Sequence, residues 1–289
     1  MDVGDGDLHV ARAGPTPGDA SAVVVLVHGI TASHVEWRAV ARLLAERDGL
    51  CLLAPDLRGR GRSAALPPPD GLATHVEDLL AVLDDAGVGR AVLVGHSMGA
   101  FVVALVAAGH PERAASVVLV DGGLPLPVPA GVDVDAALLA VLGPALERLR
   151  RTFASEEEYV AFWRAHPAFA GRWDDDVEAY VRYDLTGAPG AMRSVVVEDA
   201  IRADGASMLR DASIATAAER ITAPLTVVRA ERGLLDDDNP VIPRPLLDAF
   251  AAAHPVARVE DVAGVNHYTL VLGAAGGAGR VASAIADAI

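Results

Sequence analysis

The sequence predicts an α/β fold with a doubly wound, mostly parallel sheet and an inserted helical cap. Short apolar runs of strand length alternate with longer segments whose apolar residues recur every three or four positions, as in successive βαβ units. The alternation stops after Asp121 and resumes about 100 residues later, a gap far longer than an ordinary connection. We therefore predict a core of residues 1–121 and 224–289, with a cap of residues 122–223 inserted after the strand that ends at Asp121.

Each predicted strand in the first half of the core is a continuous apolar run, as expected for strands that are covered on both faces. These runs lie at 22–27, 51–54, 91–94 and 116–120. Helical periodicity follows the first two runs at 37–44 and 74–86, and a segment after Met98 that is apolar on all sides predicts a buried helix. Ligands of such sheets bind beyond the carboxyl ends of the strands, so the loops after these runs are the expected place for a site.

The second half of the core repeats the alternation, with strands predicted at 225–230 and 256–262 and helices at 245–253 and 279–289. The inserted segment differs in composition, because it holds eight of the twelve aromatic residues of the chain. Aromatic side chains suit a lid over an apolar ligand, and on this interpretation Tyr159, Trp163 and Trp173 bind substrate. The alternative is that they form the hydrophobic core of a small helical cap.

Composition excludes several classes of protein. The 289 residues are 52% hydrophobic and 22% charged, as in globular proteins, and the formal net charge of -15 disfavours nucleic acid and anionic membranes as partners. All 24 Lys plus Arg residues are Arg, which excludes a Schiff-base lysine and a Walker-type phosphate loop. The single cysteine excludes an intramolecular disulfide and a thiolate metal cluster. Residues 1–9 lack the positive flank of a secretory signal, so we expect a cytoplasmic protein.

The strongest local motif is Gly95-His96-Ser97-Met98-Gly99, which lies between a predicted strand and a predicted helix. This is the context of a nucleophile elbow, a tight turn that exposes a serine hydroxyl. Glycines two residues before and after the serine leave room for a strained backbone and for close packing. The helix that starts near Met98 would direct free N–H groups toward the negative charge that develops when Ser97 attacks a carbonyl. His96, inside the turn, is expected to point away from the site.

A serine hydroxyl is a weak nucleophile until a base removes its proton, so the fold must bring a histidine to Ser97. His267 follows the last predicted strand and precedes the terminal helix, at the same edge of the sheet as Ser97. We therefore predict that His267 is the base. His28 ends the first strand and is expected to be structural.

These residues resemble the α/β-hydrolase superfamily, and the resemblance covers essentially the whole chain. It rests on the elbow, the His28-Gly29-Ile30 loop, the Arg-Gly loop (residues 56–63) and the late His267. Within the superfamily, the chain is most similar to the capped esterase-like branch, which includes esterases, lactonases, carbon-carbon bond hydrolases and cofactor-free haloperoxidases. The resemblance implies that the backbone N–H groups of Ile30 and Met98 form the oxyanion hole, and that the Arg-Gly loop is a structural turn.

The acid that orients His267 has two candidates in the order serine, acid, histidine. Most relatives carry this acid shortly after the strand predicted at 225–230, but the expected position here is Gly233; Asp236 follows and would serve in a longer loop. Asp121 ends the strand before the cap, a position that some members of the superfamily use, and the glycines after it permit close approach. We favour Asp121 and keep Asp236 as the alternative.

The residues and the resemblance together predict a serine hydrolase without metal or cofactor, which cleaves a carboxylic ester, lactone or thioester through an acyl-enzyme. Its expected partner is a small apolar or aromatic ester-like substrate. A carbon-carbon bond hydrolase or a cofactor-free haloperoxidase would use the same triad, and a ligand-binding sensor could retain the triad with negligible turnover. Dehalogenases and epoxide hydrolases of this fold use an aspartate nucleophile, and the serine at position 97 disfavours both.

Overall fold

A computed structural model describes residues 1–125, 133, 136, 146–274 and 276–289. The strands are β1 (Val10–Ala13), β2 (Ala22–Val27), β3 (Leu50–Pro55), β4 (Ala91–His96), β5 (Ala114–Val120), β6 (Leu185–Thr186), β7 (Arg193–Ser194), β8 (Leu225–Arg232) and β9 (Arg258–Asn266). Seven of them form the central sheet in the order β1-β3-β2-β4-β5-β8-β9. Every neighbouring pair is parallel except β1 with β3, so the predicted mostly parallel sheet is confirmed.

Helices cover both faces of this sheet. They are α1 (Arg38–Leu44), α2 (Leu72–Asp85), α3 (Met98–Gly109), α4 (Glu156–Arg164), α5 (Asp175–Tyr183), α6 (Glu198–Arg210), α7 (Ala212–Ala215), α8 (Arg244–Ala253) and α9 (Ala278–Asp287). Alternate residues of β2 belong to different hydrophobic cores: Val25 shares one with α2 and α3, and Val24 shares the other with α1 and α9. The continuous apolar runs in the sequence reflect this burial on both faces.

Strand β1 is the element of the main sheet that the sequence did not predict. It pairs antiparallel with β3 at the edge of the sheet, where Val10 lies opposite Pro55 and Ala13 lies opposite Leu52. Its residues are half-buried or exposed, so it lacks the apolar run that identified the central strands. Backbone hydrogen bonds, rather than a hydrophobic pattern, place this strand.

The segment between β5 and β8 is mainly helical among its described residues, which include α4 to α7, residues 146–150 and the short antiparallel pair β6 and β7. None of these described residues joins the main sheet. This content agrees with the predicted helical cap, whose boundaries at residues 122 and 223 stay a prediction. Within the described part of the chain, no helix is both long enough and apolar enough to cross a membrane.

Candidate active site

The turn between β4 and α3 gives Ser97 an unusual backbone. Its φ of 55° and ψ of -119° lie outside the conformations that residues with side chains normally adopt. The two glycines of the motif are required by contact: a Cβ on Gly95 would lie 2.1 Å from the Gly99 carbonyl oxygen, and one on Gly99 would lie 2.1 Å from the Val27 carbonyl oxygen. The sequence therefore folds here into the strained strand-turn-helix geometry of a nucleophile elbow.

His267 and Asp121 meet at the carboxyl edge of the sheet. The His267 ring Nδ1 lies 2.7 Å from the Asp121 Oδ2, and both side chains are buried. The other carboxylate oxygen of Asp121 accepts a hydrogen bond from the Ala230 N–H at 3.1 Å. Asp121 directly follows Val120, whose carbonyl accepts a 2.9 Å hydrogen bond from the Ser97 N–H. The elbow and the His267–Asp121 pair therefore lie at one edge of the sheet.

Asp236, the other candidate acid, contacts different groups. Its Oδ1 accepts hydrogen bonds from the Arg232 Nε at 3.0 Å and from the Asn266 Nδ2 at 3.1 Å. Its carboxylate makes no hydrogen bond to His267 within the described part of the chain. Of the two acids that the sequence left open, Asp121 is therefore the one in contact with the histidine.

His96 does not point away from the site, and that expectation is wrong. Its ring lies against the His267 ring, with the two centroids 4.5 Å apart. The His96 Nε2 lies 3.1 Å from the His267 carbonyl oxygen, and its Nδ1 lies 3.3 Å from the Glu36 carboxylate. Both neighbours accept hydrogen bonds, so this geometry favours the doubly protonated, charged ring. No pattern in the sequence points to Glu36, because a single buried glutamate within a short 3-10 helix has no distinguishing periodicity.

These surroundings act on both histidines. Burial disfavours the charged form of His96, but the Glu36 carboxylate, together with Asp121 and the His267 carbonyl, outweighs burial and raises the pKa of His96. Burial lowers the pKa of His267, and the charge of His96 lowers it further, while the contact with Asp121 opposes both effects. His267 is therefore neutral near pH 7, which is the form that can accept a proton.

The loop after β2 passes beside the nucleophile. A Cβ on Gly29 would lie 3.2 Å from the Ser97 Cβ, and the Gly29 N–H donates to the Glu36 carboxylate at 3.1 Å. Ile30 follows Gly29 in this loop and is buried. Met98 is the first residue of the twelve-residue helix α3, where backbone N–H groups have no partner within the helix. The two predicted oxyanion residues thus belong to segments that adjoin Ser97.

His28 is fully buried beneath this loop. Its Nδ1 lies 2.8 Å from the Gly29 carbonyl oxygen, and its Nε2 accepts a hydrogen bond from the Leu57 N–H at 2.9 Å. One nitrogen therefore donates and the other accepts, as in a neutral imidazole. Burial lowers the pKa of His28 to about 3, which agrees with this neutral form. Because the Gly29 carbonyl and the Ile30 N–H belong to one planar peptide, His28 also orients the Ile30 N–H.

The substrate-binding prediction for Tyr159 and Trp163 is not supported by their surroundings. Tyr159 has no exposed surface, and its hydroxyl donates to the Asp184 carboxylate; Trp163 is 3% exposed within the same hydrophobic core. Both side chains build the interior of the inserted segment, because a small helical unit needs large apolar side chains to bury enough surface. Trp173 is half-buried, donates from its Nε1 to Glu178 at 3.2 Å, and stays a prediction.

One cluster of described residues has the composition of a metal site. The donor atoms of His9, His34 and Asp56 lie within 4.8 Å of one another. The carboxylate of Asp56 is already occupied by the ring of His34 at 2.9 Å, by the Arg62 N–H at 2.9 Å and by the Tyr183 hydroxyl at 2.7 Å. These bonds use most of the lone pairs that a cation would need.

Comparisons with known proteins agree with this architecture. Residues 22–171, just over half of the chain, match the family model of the α/β hydrolase fold. Lipase LipV of Mycobacterium tuberculosis is 37% identical over 148 residues, which are 50% of this chain and 54% of the lipase. Epoxide hydrolase A of the same organism is 40% identical over 112 residues, which are 38% of this chain and 34% of that enzyme. The chain thus matches about half or less of the length of these curated relatives.

Structural similarity extends over nearly the whole chain. E-2-(Acetamidomethylene)succinate hydrolase has a TM-score of 0.77, with 99% of this chain and 96% of that chain covered at 22% identity. At this level of identity the likeness shows the fold alone. Together with the match of the family model to residues 22–171, it leads to one conclusion: the chain belongs to the α/β-hydrolase family.

Proposed function

We propose that this chain is a serine hydrolase that cleaves a carboxylic ester, lactone or thioester through an acyl-enzyme. Ser97 is the nucleophile, His267 is the general base, and Asp121 orients the histidine. The observation that carries this proposal is the 2.7 Å contact between the His267 Nδ1 and the Asp121 Oδ2, at the same edge of the sheet as a serine held at a φ of 55°. A buried imidazole bonded in this way keeps its Nε2 unprotonated and available to a hydroxyl.

In the proposed reaction, the Ser97 oxygen attacks the carbonyl carbon while the His267 Nε2 takes the hydroxyl proton. The N–H groups of Ile30 and Met98 stabilise the resulting oxyanion. The protonated His267 then gives its proton to the leaving alcohol or thiol, and an acyl group remains on Ser97. Water, activated by the same histidine, releases the acid and restores the enzyme. The Asp121 carboxylate stabilises the imidazolium in both halves of the cycle.

We further propose a small ester-like substrate, with the half-buried Trp173 as the aromatic side chain that would contact an apolar or aromatic group of it. The similarity to a lipase favours an ester rather than an amide. The similarity to an epoxide hydrolase has less weight, because position 97 of this chain is serine rather than the aspartate expected for that chemistry. The proposed reaction requires neither a metal nor a cofactor.

The test is pre-steady-state hydrolysis of a p-nitrophenyl acyl ester by the wild-type chain and by Ser97→Ala. We expect a burst of p-nitrophenol equal to the enzyme concentration in the wild type and no burst in Ser97→Ala. Ser116→Ala is the matched control, because Ser116 is a buried serine on β5 that donates to the Ala288 carbonyl instead. A burst that persists in Ser97→Ala would refute the assignment, and ester binding without any acyl-enzyme would favour a ligand-binding sensor.

A further inference from the structure

The Arg-Gly loop contains a fully buried arginine that touches both oxyanion segments. The Arg60 Nε donates to the Ile30 carbonyl oxygen at 2.9 Å, and its Nη2 lies 3.9 Å from the Met98 Sδ. Its Nη1 donates to the Arg58 carbonyl oxygen at 2.7 Å. The guanidinium thus connects the two segments that the proposed mechanism uses for the oxyanion.

The counter-ion of Arg60 comes from the inserted segment. The Arg60 Nη2 lies 2.7 Å from the carboxylate of Asp204 on α6, and the His75 Nε2 lies 3.0 Å from the same oxygen. All three side chains are completely buried. Since a guanidinium stays charged and a buried charge requires a partner, Arg60 can hold this position only while Asp204 is present.

The same helix docks on the backbone of the loop. The Val197 N–H, at the start of α6, donates to the Gly59 carbonyl oxygen at 2.9 Å. A Cβ on Gly59 would lie only 2.5 Å from the Ala200 Cβ, and Gly59 has a φ of +77°. The loop therefore passes between α6 and the oxyanion segments without room for a side chain at residue 59.

We propose that Arg60 is a positioning residue for the oxyanion hole, and that Asp204 makes its position depend on the docking of α6. Arg60 fixes the peptide that follows Ile30, as His28 fixes the peptide before it. When α6 is docked, the Ile30 N–H is aimed at the oxyanion; when the ion pair is lost, the loop can rotate. This inference rests on the proposed function, because it assigns a role in stabilising the same oxyanion.

The chain supplies a matched control two residues away. The Arg58 Nε and Nη2 donate to the Asp78 carboxylate at 2.7 and 2.8 Å, and both side chains are buried. This second ion pair lies on the same loop, and its guanidinium makes no hydrogen bond to Ile30 or Met98 within the described part of the chain. Its removal eliminates a buried ion pair of this loop without touching the oxyanion segments, whereas the loss of Asp204 also takes the carboxylate partner from His75.

The test compares Arg60→Met/Asp204→Leu with Arg58→Met/Asp78→Leu. Each double variant replaces a buried ion pair with apolar residues of similar volume, which buried sites often tolerate without loss of stability. We expect the first variant to lower kcat by about tenfold to a hundredfold, which is less than the loss expected when an oxyanion donor is removed completely. Its KM should stay within about threefold of the wild-type value. The second should keep kcat within about threefold.

A trifluoromethyl ketone gives a second readout, because its hemiketal with a serine places an oxyanion in the hole. Its inhibition constant should rise by the same factor as kcat/KM falls in the Arg60→Met/Asp204→Leu variant. If that variant does not fold, Arg60→Lys is compared with Arg58→Lys by the same two measurements. Equal kcat values and equal inhibition constants in the paired variants would overturn the role of Arg60. A wild-type chain without Ser97-dependent hydrolysis would instead overturn the proposed function, before any Arg60 variant is compared.

Discussion

Replacing Asp121 with asparagine tests the assignment of the orienting acid, and the structure predicts the consequence in detail. The Asp121 Oδ1 accepts from the Ala230 N–H, and the Oδ2 faces the His267 Nδ1. The carbonyl oxygen of an asparagine must take the place beside Ala230, because that buried N–H needs an acceptor. The amide NH2 then faces His267, donates to its Nδ1 and leaves the ring proton on Nε2. In this tautomer the histidine cannot accept the serine proton.

The expected loss follows from this tautomer. Asp121→Asn should lower the acylation rate constant by roughly 10³-fold to 10⁴-fold, similar to the corresponding change in serine proteases. KM should change little, because the carboxylate is completely buried behind the histidine. Stability should fall by about 1 to 2 kcal/mol, since a charge-assisted hydrogen bond becomes a neutral one. Stopped-flow release of p-nitrophenol measures the rate constant, and urea unfolding measures the stability.

Asp236→Asn is the control for this experiment. Its carboxylate is partly exposed, and an asparagine oxygen can still accept from Arg232 and Asn266. We expect the acylation rate constant to stay within about threefold of the wild type. A large loss in Asp236→Asn together with a small loss in Asp121→Asn would refute the reasoning. Equal losses in both would show that the contact with His267 does not set the tautomer.

Three further predictions concern pH and packing. The acid limb of kcat/KM should have its midpoint below 6.5, because burial and a neighbouring positive charge lower the pKa of His267; a midpoint above about 7 would contradict this. The pKa of His28 is about 3 in the folded chain, against an ordinary value of 6.5, so on acidification the unfolded chain binds the proton first. The free energy of unfolding therefore decreases as the pH is lowered from 6.5 to 3. His28→Gln should reduce that dependence by up to ~1.4 kcal/mol per pH unit in urea unfolding at several pH values, and an unchanged slope would be inconsistent with a buried neutral ring. Gly122→Ala would place a Cβ 2.2 Å from the Ser97 carbonyl oxygen, so it should lose most activity and at least about 1 to 3 kcal/mol of stability. Gly109→Ala, where a Cβ meets nothing within 4 Å, should keep the activity, and equal effects in the two variants would contradict the packing argument.

Much of the fold could be predicted because the central strands are buried on both faces. The run predicted at 22–27 is β2, and the other predicted strands of the core differ from the observed ones by a few residues at their ends. Strand β1 escaped prediction, since an edge strand that is half-exposed depends on backbone pairing with β3 rather than on a hydrophobic pattern. The pair β6 and β7 is only two residues long in each strand, too short for any periodic signal.

The candidate site, like the fold, could be predicted from the sequence only in part. Ser97 and His267 were predicted from local context, because each directly follows a strand of a parallel sheet and the carboxyl ends of such strands share one edge. The choice between Asp121 and Asp236 depends on distances across three strands, β5, β8 and β9, which spacing in the sequence does not encode. The orientation of His96 depends on Glu36, which lies 60 residues away along the chain. Contacts of this kind require the folded backbone.

The place where the inserted segment leaves the sheet matters for exchanging that segment between relatives. Asp121 holds the histidine, and the next two residues, Gly122 and Gly123, pack against the backbone of Ser97 and Ala100. A chimaera joined directly after β5 would therefore replace part of the candidate site together with the inserted segment. Grafts should keep residues 121–123 from the parent and begin the foreign segment after them, so that substrate range changes while the chemistry does not.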